Sequence, residues 1–99
     1  MEAIKYTLYV GGGTIDSVEP ILIKHGVNGA TMTPVHSLWE GKLEYGTKIE
    51  IIDFPTSAAW FKSDSSETDI LGALVVELKE VLKQDCILMT VETLQAKLL

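Results

Sequence analysis

Hydrophobic and polar positions alternate at the start of the chain. Ile4, Tyr6, Leu8 and Val10 fall on one side, and Lys5, Thr7 and Tyr9 on the other. A period of two with aromatic and β-branched residues predicts a strand over residues 4–10, and the Gly11-Gly12-Gly13 run ends it. Over residues 17–25, Val18, Ile21 and Leu22 recur at helical spacing. A short helix is predicted there, with Ser17 as its cap, Glu19 in the first turn and Pro20 early enough to be tolerated. The Ile21-Leu22-Ile23 run would also suit a strand. Gly26 closes the segment.

Residues 30–39 and 43–54 read as a hairpin turning at Glu40-Gly41-Lys42, where glycine supplies a positive φ. In the second arm Tyr45, Thr47, Ile49 and Ile51 share one face, and Glu44, Lys48 and Glu50 the other. Pro34 has no amide proton to give a ladder, so the first arm belongs at a sheet edge or bulges there. Residues 55–66 form a polar connection that carries Trp60 and Phe61. The strongest helical pattern covers 69–83, where Ile70, Leu71, Leu74, Leu78, Val81 and Leu82 make one stripe. Thr68 or Ser66 is placed to cap it. Residues 86–91 read as a last strand, and 94–99 as its extension or a short terminal helix.

The order is β-α-β-β-α-β. It predicts an α+β, ferredoxin-like sandwich: a four-stranded antiparallel sheet with two helices on one face, in one domain spanning 1–99. The opposite face is then uncovered and carries Thr7, Tyr9, Lys48, Glu50 and Ile52. Such a face commonly meets a second subunit or a ligand.

Composition narrows the partners. The chain has 99 residues, 46% of them hydrophobic and 22% charged, which suits a folded globule with room for one core. The net charge of −6 argues against a nucleic-acid partner and against an anionic membrane surface. The single cysteine, Cys86, excludes an internal disulfide framework and reads as a small core residue. No leader pattern and no membrane-length apolar run is visible, so the expected address is the cytoplasm.

Several residues carry chemistry worth weighing. Gly11-Gly12-Gly13-Thr14-Ile15-Asp16 resembles the phosphate loop of actin and the heat-shock chaperone ATPases. It also resembles the start of bacterial asparaginases. Both families need several hundred residues, so the plainer reading is a glycine-rich turn between the first strand and helix, with a residual capacity for anions. His25 reads as a surface or turn residue and His36 as structural, and no metal site is expected. Glu40, Glu44 and Glu50 lie along one hairpin, where paired carboxylates can do acid–base work or simply form a solvated face. Trp39, Trp60 and Phe61 are large aromatics outside the obvious core and suit a core plug, a subunit interface or a pocket lid.

The chain from Gly29 onward resembles a family of small bacterial proteins of unknown function with a ferredoxin-like fold. The likeness rests on Gly29-Ala30-Thr31, Leu38-Trp39-Glu40-Gly41, Glu44 before Lys48-Ile49-Glu50, and Gln84-Asp85-Cys86-Ile87-Leu88. It implies a compact sheet with Trp39 and Glu44 close together on the hairpin, and it brings no activity.

No catalytic set or cofactor motif stands out. The leading expectation is a non-enzymatic homodimer or higher homo-oligomer that binds a small molecule or its own copies through the uncovered face. Candidate ligand or interface residues are Tyr9, His36, Trp39, Glu44, Glu50, Trp60 and Phe61. The alternatives are a small enzyme with a carboxylate at the hairpin or dimer seam, and an accessory subunit of a larger assembly.

Overall fold

The computed structural model describes residues 2–54, 67–97 and 99. Its elements are β1 (Glu2–Gly11), α1 (Ile15–Lys24), β2 (Thr31–Trp39), β3 (Lys42–Asp53), α2 (Glu67–Leu82) and β4 (Leu88–Gln95). The four strands form one sheet in the order β2-β3-β1-β4, and each adjacent pair is antiparallel. The ferredoxin-like arrangement read from the sequence is the one observed.

The alternation in β1 explains why it lies inside the sheet. Tyr6, Leu8 and Val10 are buried with Ile49 and Ile51 of β3, Val18, Ile21 and Leu22 of α1, and Leu71, Leu74 and Leu78 of α2. Burying each such side chain is worth about 1.5–3 kcal/mol, which is the main return for ordering the chain. Pro34 sits in β2, an edge strand, as its missing donor requires. Glu40 and Gly41, with φ of 49° and 76°, make a two-residue turn of the type that matches strand twist.

Several expectations are corrected. The cap of α1 is Thr14, not Ser17: Ser17 stands at the third helical position and completes a capping box with Thr14. Pro20 therefore lies inside the helix rather than in its first turn. Of the two caps expected for α2, Thr68 falls inside the helix and Ser66 lies outside the described residues; the stripe runs through Leu71, Leu74 and Leu78, while Val81 is exposed. Cys86 is exposed, not core. It lies in the connection after α2, where Lys83 takes a left-handed conformation and the Gln84 amide donates to Lys79 O at 2.9 Å. This helix stop delays β4 until Leu88. At the other end β4 runs on to Gln95, so the ambiguous 94–99 segment begins as strand.

His25 is at a turn, as expected, but it is not free. It caps the C-terminus of α1, and its Nε2 lies 3.0 Å from Glu77 Oε1 of α2. Lys24 Nζ reaches the same oxygen at 2.7 Å. These contacts join the two helices and hold the Glu77 carboxyl below its ordinary range, the Lys24 hydrogen bond contributing most and the His25 bond next. Among the described residues no helix is long and apolar enough to cross a membrane.

Candidate functional site

The two-residue period places β3 side chains on two faces, and the candidate residues separate accordingly. On the face away from the helices, Glu50 lies 3.0 Å from Lys5 Nζ and 3.6 Å from Lys48 Nζ. The Lys5 hydrogen bond, followed by the charge of Lys48, pulls its carboxyl below the usual range. A carboxylate held ionised in this way is a poor proton donor. Thr7 stands beside Glu50 across the β1–β3 ladder. It is only 3% exposed, and its hydroxyl has no hydrogen-bond partner. Tyr9 follows on the same face, partly exposed and opposite Lys48.

Glu44 is further along that face. Its half-buried carboxylate lies where a side chain at Gly11 would have to go. Ser37 pairs with Glu44 and Trp39 with Lys42, so Trp39 is the diagonal neighbour of Glu44 on one face of the hairpin. The proximity implied by the family resemblance is therefore present. Trp39 itself is exposed at the hairpin end. Trp60 and Phe61 lie outside the described residues.

His36 belongs to a different place. It pairs with Tyr45 across β2 and β3 on the helix-side face, with ring centroids 4.5 Å apart and planes at 84°. Here the hairpin has run past the helices, and a cleft of about 300 Å³ opens between it and the glycine-rich turn. Pro34, Val35, His36, Tyr45, Gly46 and Thr47 form one wall, and Gly13, Thr14, Ile15 and Asp16 the other.

Three contacts fix the walls. The Gly12 amide donates to Tyr45 O at 2.9 Å. The buried Thr47 hydroxyl donates to Gly13 O at 3.0 Å. At Gly46, a Cβ would collide with the Val10 carbonyl oxygen, so only glycine lets β1 come this close to β3. The glycines thus bring the turn against the hairpin, which is a packing role.

The turn is also largely spent as an anion receptor. The Thr14 amide donates to Ser17 Oγ at 2.9 Å, and the Ser17 amide is taken by Thr14 Oγ1 at 3.2 Å. Of the residues singled out from the sequence, only His36 and the glycine-rich turn come together at this cleft. Thr14 and Asp16 were noticed as part of the loop string, not as a wall. Tyr45, Thr47 and Pro34 were missed as site residues. The available signal was the facing pair Gly11 and Gly46, which marks where a turn and a hairpin meet.

No family model matches the chain, and no curated protein sequence matches it. Solved structures do. A nitrogen regulatory PII-like protein from Thiomonas intermedia, bound to ADP, AMP and bicarbonate, superposes with a TM-score of 0.58 at 13% identity, covering 98% of this chain and 94% of its own. A phage SAM lyase in its apo state gives a TM-score of 0.57 at 20% identity, covering 99% and 93%. At these identities the likeness establishes a shared ferredoxin-like fold.

Proposed function

We propose that this chain is a homo-oligomeric module that binds a small adenosine-bearing molecule in the cleft between the glycine-rich turn and the β2–β3 hairpin. The observation that carries the reading is the cleft itself, a pocket-sized concavity with an exposed aromatic pair on one wall and hydroxyl and carboxylate groups on the other. Flat heterocycles stack on aromatic rings, and ribose hydroxyls bond to side chains such as Thr14 and Asp16. The neighbours support the ligand class. One is bound to ADP and AMP, and the other is named for SAM, S-adenosylmethionine, so adenosine is common to both.

Self-association is assigned to the sheet face away from the helices, which carries the buried, unpartnered Thr7 hydroxyl and the Lys5–Glu50–Lys48 row. Calorimetric titration with adenosine, AMP, ADP and S-adenosylmethionine tests the ligand. Saturable binding by at least one of them is expected, weakened about tenfold by Tyr45→Ala through loss of stacking. Absence of binding by all four refutes the reading. Light scattering tests the assembly, which should have a mass of at least two chains of 10.9 kDa each, and a monomer mass refutes it.

The lyase neighbour favours one second reading, that the bound molecule is also cleaved. Glu50, tied to two lysines, is unsuited to acid catalysis. Glu44 lies on the sheet face away from the cleft, so Asp16 is the carboxylate the cleft offers for such a role, and chromatography of the ligand after incubation with the protein decides it.

A further inference from the structure

Resting on that reading, we infer that the cleft selects a nucleoside carrying a cationic arm, such as a sulfonium or ammonium group, over a nucleoside phosphate. The selection comes from charge. Asp16 is the only carboxylate among the described lining residues, and none of them is Lys or Arg. Three of the described cations are committed elsewhere, and Lys83, which follows Leu82 beside Gly12 and Gly13, is not among the lining residues. Lys5 and Lys48 are held by Glu50 on the opposite face of the sheet, and Lys24 is held by Glu77 at the far end of α1.

A phosphate would need either a cation or a set of free amides. The lining holds no cation, and the amides of Gly12, Thr14 and Ser17 already donate within the protein. The positive end of the α1 dipole amounts to roughly half a charge, and the full negative charge of Asp16 in the first turn outweighs it. The net charge of −6 adds a general bias against anions. A cation, by contrast, meets the Asp16 carboxylate. It also meets Tyr45, which is 64% exposed and offers a ring for cation–π contact.

The test is a ligand series on the full chain near neutral pH. S-adenosylmethionine and S-adenosylhomocysteine share a skeleton and differ by a methyl group and its positive charge. Calorimetry is expected to show the sulfonium compound binding about three- to tenfold tighter, with the gap closing as salt is added. AMP and ADP are expected to bind more weakly than adenosine. Asp16→Asn should equalise the sulfonium and its neutral analogue, and Asp16→Glu should keep the preference.

AMP or ADP binding more tightly than adenosine, or a preference that survives Asp16→Asn, overturns the inference while leaving an adenosine site in place. Failure of every compound, adenosine included, removes the site as well. Should Asp16→Asn fail to fold, the salt dependence of the wild-type pair decides. A gap that salt does not narrow counts against charge selection.

Discussion

The two halves of β3 carry the same pattern and meet opposite fates. In the half ending at Asp53, Ile49 and Ile51 are each 0% exposed. In the half beginning at Lys42, Leu43 and Tyr45 point to the same face and are 60% and 64% exposed. The alternation sets which face a side chain takes, because the period of a strand is two. It does not set what lies over that face. The helices cover only the inner half of the hairpin, and the uncovered remainder forms a wall of the cleft.

The comparison can be broken most forcefully at its buried end. Ile49→Ala should cost about 2–4 kcal/mol in urea unfolding, since it leaves a cavity among well-packed neighbours, whereas Leu43→Ala on the same face should change stability by less than about 0.5 kcal/mol. Equal losses at the two positions would mean that the outer half is covered in solution.

Gly46 marks the boundary between the halves. Gly46→Ala should cost about 1–3 kcal/mol, because its Cβ runs into the Val10 carbonyl and β1 must shift. The same shift should weaken adenosine binding. A fully stable variant with unchanged affinity would show that the close approach is not needed.

Thr7 sharpens the contrast between the two sheet faces. Its buried hydroxyl has no partner, so Thr7→Val should leave stability unchanged or raise it by up to about 1 kcal/mol. A clear loss, accompanied by a lower mass in light scattering, would show instead that a second subunit supplies the partner.

The smallest effect belongs to the helix–helix contact. Glu77 titrates below its ordinary value because Lys24 and His25 bond to it. The folded chain therefore resists protonation more than the unfolded one. The stability this contributes is present above the unfolded carboxylate value, near 4.5, and is lost as pH falls through the lower folded value. Glu77→Gln should be less stable than wild type near neutral pH, with the difference shrinking in acid. A difference that does not depend on pH would assign the effect to packing.

Much of the fold was legible in the chain. Period-two alternation at Ile4 to Val10 and Tyr45 to Ile51 identified both inner strands, and Pro34 identified an edge. The errors lie where local signals compete. Thr14 and Ser17 are both good caps, and the helix uses Thr14, with Ser17 completing the capping box and Thr47 bonded to Gly13 O just before it. Cys86 looked like a core residue because a free cysteine is usually a small buried one, yet it is exposed in the connection that follows the left-handed Lys83.

The site was less legible. His36 was singled out, but its companions lie on three separate elements. Thr14 and Asp16 belong to the start of α1, Pro34 to β2, and Tyr45 and Thr47 to β3. No spacing rule links them.

The sequence by itself determined the element order, the face each strand residue takes and the acidic balance that disfavours phosphate partners. These are local or additive properties, carried by backbone geometry and by counting charges. Only the tertiary structure decided where the helices stop covering the sheet, and so that Tyr45 lines a cleft while Ile49 fills a core. It also decided that the glycine-rich turn packs against a hairpin. Both outcomes depend on contacts between residues far apart in the chain. There the fit of Gly46 against Val10 and of Thr47 against Gly13 outweighs what any single segment prefers.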